Sequence, residues 1–299
     1  MPREKHKRHG CSNWMGRKRH RQRIRGMFYT LLLGLTLAGC QIALAAEKPL
    51  VVVAVPPQQD FIAAIAGDQV DVMVLIPAKG NHELYEPTVQ QRARLGQARL
   101  YFAMDLPFEA ALLRRLEGSS PQLGVIHPTA RPDTTMHHDP HLWLSPPWVR
   151  LHAAQIRDAL LQAHLGDPGR ITAGYAAFSR AINQLDERIW AILSRQQAFG
   201  KSIAVVHPSW SHFASAYGLQ QLALEEEGKE IAPREMAQRL DHMKGLGIPI
   251  LFTEPQVPTQ RAQPLASELG ATLEPLDPLA TPWAANLESV ADLMARAAR

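Results

Sequence analysis

The sequence predicts an α/β protein, two β-α domains with mostly parallel sheets joined by one long rigid helix. Three observations carry this expectation. Continuous apolar runs such as Leu50-Val51-Val52-Val53-Ala54-Val55 have the composition of strands buried on both faces, as parallel strands covered by helices are. Strand-like and helix-like segments alternate up to about residue 126 and again after residue 201. Between these blocks, only Gly174 breaks the stretch from Gly169 to Gly200, and Ile171, Phe178, Ile182, Leu185, Ile189 and Ile192 recur at helical spacing. That is one amphipathic helix of about 27 residues, near 40 Å long at 1.5 Å per residue.

In the first block, a strand over 50–55 stops at Pro56-Pro57, a short helix over 61–66 closes at Gly67, and a strand over 70–76 ends at Pro77. A helix over 87–98, a strand over 100–104, a helix over 108–116 and a strand over 123–126 follow. In the second block, strands over 202–206 and 219–224 precede a helix over 234–244. A strand over 248–253, a helix over 259–269 closed by Gly270, a strand over 271–276 and a helix over 287–298 complete the chain. The expected division is a leader over 1–46, an N-terminal α/β domain over 47–168, the linking helix over 169–198 and a C-terminal α/β domain over 199–299. No sequence repeat relates the halves.

The leader is read as an address. Residues 1–26 hold ten Lys/Arg and one acid, Glu4, and an apolar run over 28–38 follows, shorter than the roughly 20 residues of a membrane-spanning helix. A basic stretch, a short apolar core and small residues make a bacterial export signal. Two exits compete. Leu37-Ala38-Gly39-Cys40 resembles a lipobox that leaves Cys40 acylated, whereas Ala43-Leu44-Ala45 reads as a cleavage site that frees the chain at Ala46. The expected location is periplasmic or in the cell envelope, soluble or lipid-anchored, with membrane contact only through an anchor at Cys40. The whole chain carries +4, but without the first 26 residues 22 Lys/Arg face 27 Asp/Glu, a balance of −5. The basic excess thus belongs to the leader, and nucleic acid is not an indicated partner. Both cysteines, Cys11 and Cys40, lie in that segment too, which leaves no disulfide and no thiolate metal site after it.

The chemistry concentrates in His137-His138-Asp139-Pro140-His141, three imidazoles within five residues, with Pro140 keeping Asp139 out of helical geometry. Neutral imidazole is a common ligand for zinc and its neighbours. The other candidate ligands share a topological address. His82 follows the strand that ends at Pro77, His141 lies beyond the fourth strand, His207 comes directly after Val206, and Asp277 directly after Leu276. In parallel α/β sheets, ligand groups collect outside the carboxyl ends of the strands. Two such residues come from each half, so one metal site in the interdomain cleft collects all four. Three imidazoles and a carboxylate form a borderline-soft set that suits Zn(II); Mn(II), the alternative, prefers more carboxylate oxygen. Glu254, also at a strand end, is a candidate to orient a ligand imidazole. His152, His164 and His242 are expected at the surface, His127 in a structural role, and His212, beside Trp210 and Phe213, in aromatic packing. An enzyme is not expected. His82-Glu83-Leu84-Tyr85-Glu86 lacks the second histidine of H-E-x-x-H and sits between Gly80 and Pro87, too short for a catalytic helix. Four protein ligands would also leave no open position for water.

These motifs resemble the zinc/manganese-type solute-binding proteins of bacterial ABC importers. The resemblance is carried by Gly80-Asn81-His82-Glu83-Leu84-Tyr85-Glu86-Pro87-Thr88, Asp139-Pro140-His141-Leu142-Trp143-Leu144-Ser145-Pro146 and Val205-Val206-His207-Pro208-Ser209-Trp210. Tyr217-Gly218-Leu219, Gly228-Lys229-Glu230, Phe252-Thr253-Glu254-Pro255-Gln256 and Leu276-Asp277-Pro278-Leu279 extend it to nearly the whole chain after residue 48. It implies that His82, His141, His207 and Asp277 hold the metal and that the long helix is a rigid interdomain backbone. It also implies a monomer that captures Zn(II) outside the inner membrane and delivers it to an ABC permease with its ATPase. A Mn(II)/Fe(II) binder of the same family, or a metal-storage or adhesion protein, are the alternatives. Manganese and iron binders of the family tend to carry Glu where this chain has His207. The chain departs from the family's pattern in two places. Gly80-Asn81 replaces the usual Asp-Pro, and the His- and acid-rich loop ahead of the second ligand shrinks to about residues 132–139, leaving His137 and His138 at most an assisting role in capture.

Overall fold

The structure, a computed structural model, describes residues 47–129, 139–226 and 229–299. The segment expected to be an export signal, with Cys40, the pair His137 and His138, and Gly228 lie outside the described residues. No helix among the described residues is long and apolar enough to cross a membrane.

Two four-stranded, all-parallel sheets form the core of the fold. The first contains β1 (Leu50–Val53), β2 (Asp71–Val74), β3 (Leu100–Phe102) and β4 (Gly124–Ile126) in the order β2-β1-β3-β4. The second contains β5 (Ser202–Val205), β6 (Gln220–Ala223), β9 (Ile250–Thr253) and β10 (Thr272–Pro275) in the order β10-β9-β5-β6. Numbered by their own sequence order, both sheets run 2-1-3-4, so the halves share a topology that no sequence repeat reveals. A short antiparallel hairpin, β7 (Glu225–Glu226) and β8 (Lys229–Glu230), leaves the end of β6.

The helices start where capping chemistry places them. Helix α1 (Pro56–Ala66) begins at the proline pair that was expected only to end a strand. Proline is pre-set for the first helical turn, where its missing N–H costs nothing, so it stops β1 and starts α1 together. Helix α2 (Val89–Leu95) opens on a capping box in which Thr88 Oγ1 accepts from Gln91 N and Gln91 Oε1 accepts from Thr88 N. Helix α3 (Glu109–Leu116) lies between β3 and β4. Helix α4 (Pro146–Gln162) begins after Ser145, whose Oγ accepts from Trp148 N. The long helix α5 (Pro168–Arg195, 28 residues) is capped by Asp167, which accepts from Arg170 N at 2.7 Å. At 1.5 Å per residue α5 spans about 42 Å and links the two domains. Its Asp186 receives Arg150 of α4 at 3.3 Å and the Tyr217 hydroxyl of the second domain at 2.7 Å. The second domain adds α6 (Ser211–Ala216), α7 (Pro233–Gly245), α8 (Thr259–Leu269) and α9 (Trp283–Ala297). Helix α9 starts a turn earlier than the sequence suggests, because Trp283 is an anchor of the first domain: its ring meets Phe61 edge-on at 5.0 Å and its backbone N–H donates to Asp60.

His152 corrects one expectation. It is fully buried, stacked on Trp148 with ring centroids 4.7 Å apart, and burial pushes its pKa down to about 4. Its helix turns it inward because residues 148, 149, 152, 153 and 156 share the buried face. His164 and His242 are exposed, as expected.

Gly174 sits mid-helix for a packing reason. A Cβ there would lie 2.3 Å from the Ile65 carbonyl oxygen and 2.9 Å from that of Ala64, so α5 crosses the end of α1 backbone against side-chain-free backbone. Gly174→Ala gains about 1 kcal/mol of helix propensity but must push the helices apart. Because the clash is with backbone, we expect a net loss of about 2 kcal/mol, read as a lower urea midpoint.

Candidate metal centre

His82, His141 and His207 are each buried, between 2 % and 5 % exposed, yet come from three separate segments. One ring nitrogen from each lies within 4.8 Å of the others. The Nε2 atoms of His82 and His141 are 2.6 Å apart, and the His207 ring centroid is 5.9 Å and 5.4 Å from theirs. A tetrahedral zinc with bonds near 2.05 Å needs its donors about 3.4 Å apart, so the two close nitrogens have only to part slightly to hold it.

Local sequence explains each placement. His82 rides on a tight turn after β2, where Gly80 N donates to Pro77 O at 2.7 Å. Asn81 Oδ1 then accepts from Glu83 N and Leu84 N at 2.9 and 3.1 Å. This Asx turn stiffens the loop that Gly80-Asn81 would otherwise leave without the family's proline. His141 stands between Asp139 and a single 3-10 turn, Leu142–Leu144. Asp139 Oδ1 accepts from both the backbone N and the Nδ1 of His141, at 2.9 and 2.7 Å. A carboxylate at Nδ1 fixes the Nδ1–H tautomer and aims the Nε2 lone pair at the cluster. With that lone pair committed, His82 Nε2–H donates to His141 Nε2, which leaves His82 Nδ1 buried without a partner. His207 directly follows the end of β5, where Val206 N is tied to Phe252 O of β9. Trp143 floors the site under His82 and His141, at 6.0 and 5.3 Å, while its Nε1 donates to Pro278 O of the other domain at 2.7 Å.

Asp277 is not brought into this group. Its Oδ1 accepts from Gln256 Nε2 at 2.8 Å and from Leu279 N at 2.9 Å, and the same Gln256 Nε2 donates to Ala78 O in the first domain. The carboxylates that face His207 are Glu83, 3.2 Å from its Nε2, and Glu225, 3.3 Å from its Nδ1. Glu254 is buried nearby and accepts from the Ser209 hydroxyl. A cavity of about 90 Å³ opens over the cluster, lined among others by Glu83, Glu225, Glu254 and Arg261. A larger cavity of about 460 Å³, between β6 and α7, touches none of the three histidines.

The electrostatics divide the histidines. Burial, then the neighbouring imidazoles of His141 and His207, holds His82 well below the usual histidine range, so it is neutral. Burial also acts to lower His207, but the hydrogen bond it donates to Glu225 and the charges of Glu254 and Glu83 outweigh it and raise the pKa. Burial works to raise Asp139, yet the imidazoles of His141 and His212 reverse this and keep it ionised. Burial raises Glu254, against the pull of His207 and His141.

Sequence reasoning missed Asp139 as the partner of a ligand candidate, although Asp-x-His, two residues apart in a loop, is the signal that would have found it. It also missed Glu83 and Glu225, which only the tertiary structure brings to His207. His212, expected to serve in aromatic packing, is buried and turns its Nε2 to Asp139 O at 3.0 Å. His127, given a structural role in the sequence, pairs with Asp105 at the surface, at 3.0 Å.

Two parallel-sheet domains bridged by a long helix bring three buried histidines together at their strand ends, a group that could hold a metal ion. Residues 51–299 match the sequence model of the ZnuA family, the periplasmic component A of a zinc-uptake complex, and the chain belongs to that family. A crystal structure of ZnuA superposes with a TM-score of 0.77 and 35 % identity, covering 84 % of this chain and 99 % of that one. A ZnuA deletion mutant with zinc bound gives 0.75 at 35 % identity, covering 84 % and 98 %. The zinc-binding protein AdcA of Streptococcus pyogenes serotype M1 is 25 % identical over 266 residues, 79 % of this chain and 51 % of AdcA. The chain thus spans about half the length of that relative.

Proposed function

We propose that this protein captures Zn(II) outside the inner membrane and delivers it to an ABC permease and its ATPase, with zinc as cargo and no reaction catalysed. The observation that carries the reading is the convergence of three buried imidazoles from both domains. Burying three imidazoles together, with His82 Nδ1 and His207 Nε2 lacking a hydrogen-bond partner, is unfavourable without an ion to accept their lone pairs. Three imidazoles suit zinc better than manganese or iron. Membership of the ZnuA family and likeness to a zinc-bound ZnuA structure support the same ion. His82, His141 and His207 are the nitrogen donors, and Asp277 supplies the fourth, anionic donor once Gln256 releases it. Glu83 is the second reading for that position, because its oxygen already stands 3.2 Å from His207 Nε2. The protein works as a monomer, soluble or anchored through Cys40.

The test is a competition titration of chelator-stripped protein with zinc and manganese. One tight zinc per chain, outcompeting manganese, is expected. Several zinc ions per chain would point to storage, and a manganese preference to the other branch of cargo. Asp277→Asn and Glu83→Gln, titrated in parallel, assign the fourth donor to whichever substitution weakens zinc by about tenfold or more.

A further inference from the structure

His212 lies on α6 in the second domain and is 4 % exposed. Its Nε2 is 3.0 Å from the backbone oxygen of Asp139, which belongs to the loop of the first domain that carries His141. A carbonyl has no proton to give, so His212 is the donor and its Nε2–H tautomer is fixed. The Asp139 side chain points the other way in function: its Oδ1 takes both N–H groups of His141, while Oδ2 stands 3.7 Å from His212 Nε2. Helix α6 also packs on the 3-10 turn directly after His141. One residue, Asp139, is therefore held on its backbone by the second domain and holds a metal-ligand candidate with its carboxylate.

We propose that His212 is a positioning residue that makes the grip of His141 on the metal depend on the seating of the second domain against the 139–141 loop. While His212 holds the carbonyl, the Asp139 carboxylate is fixed behind His141 and the Nε2 lone pair stays aimed. If the two domains separate, the loop loses this restraint and the metal loses its best-oriented nitrogen, so release follows domain opening. The inference rests on the zinc reading, but its structural half does not need the metal.

The experiment compares the purified protein with His212→Leu and His212→Gln. Gln presents an N–H at nearly the reach of histidine Nε2, and Leu fills similar volume without it. In the metal-free proteins, amide exchange over residues 141–145 should quicken in the Leu variant and stay as in the parent in the Gln variant. Zinc release into excess chelator should be about tenfold faster for Leu, in the range typical of lost outer-shell partners, and near the parent rate for Gln. Should the Leu variant not fold, His212→Glu, isosteric with Gln but without the N–H, takes its place with the same expectation. Parent-like exchange and release in the Leu or Glu variant would overturn the proposal. So would a Gln variant as impaired as they are, since the donated hydrogen bond would then not be the cause. If the parent protein binds no zinc, it is the zinc reading that fails, and the metal-free exchange still decides the role of His212.

Discussion

His207→Ala is expected to weaken zinc binding about 100-fold while the protein keeps its fold. A four-donor zinc site contributes on the order of 10–16 kcal/mol, so one nitrogen donor is worth about 3 kcal/mol, or two decades of affinity. The loss should be felt most at His207, because the other two histidines both come from the first domain. His82 follows β2 and His141 follows β4, whereas His207 follows β5 of the second sheet. Without it the second domain offers the metal no nitrogen, and the Asp277 carboxylate after β10 is left as its donor on that side. Equilibrium competition against a chelator of known affinity measures the change, and unfolding in urea separates it from lost stability. Wild-type affinity in a folded variant would remove His207 from the site. His207→Glu is the companion substitution, expected to narrow the preference for zinc over manganese by replacing a nitrogen donor with an oxygen.

The frame was legible because it depends on local patterns. Valine-rich runs mark β1, and apolar spacing marks α5, since burial on two faces or on one stripe leaves its signature in sequence. Strand ends blurred for a physical reason. Leu75 and Ile76 still donate to Val53 O and Ala54 O beyond β2, so the ladder of hydrogen bonds outruns the regular strand. The start of α9 was missed because Trp283 is placed by Phe61 and Asp60, more than 200 residues earlier. The site divides in the same way. Ligand candidates at strand ends can be found from topology, because parallel sheets direct their carboxyl ends to one place. What surrounds them cannot. Nothing near residue 225 announces that Glu225 will face His207, and nothing near residue 212 that it will meet the carbonyl of Asp139. Those contacts follow from how two domains meet, which no local window contains.

Zinc affinity should fall as pH drops through the range in which His207 takes up its proton, a range raised above that of an ordinary histidine, by up to about tenfold per pH unit for each ligand protonated. Zinc binds neutral imidazole, so only histidines that are protonated in the metal-free protein compete with it. His82 is held well below the ordinary range by burial and its neighbours, and stays neutral through this window. His207 is different: Glu225, Glu254 and Glu83 overcome burial and raise its pKa, so its imidazolium persists to higher pH than a free histidine's. The sign follows directly. A raised pKa means the proton is bound more tightly, the metal must displace it from a higher pH, and affinity rises as pH rises. Isothermal titration in two buffers of different ionisation enthalpy counts the released protons. Glu225→Gln removes the first of the groups that favour the imidazolium and should move the onset of the decline to lower pH. A flat affinity between pH 7.5 and 5.5 would exclude a three-imidazole donor set.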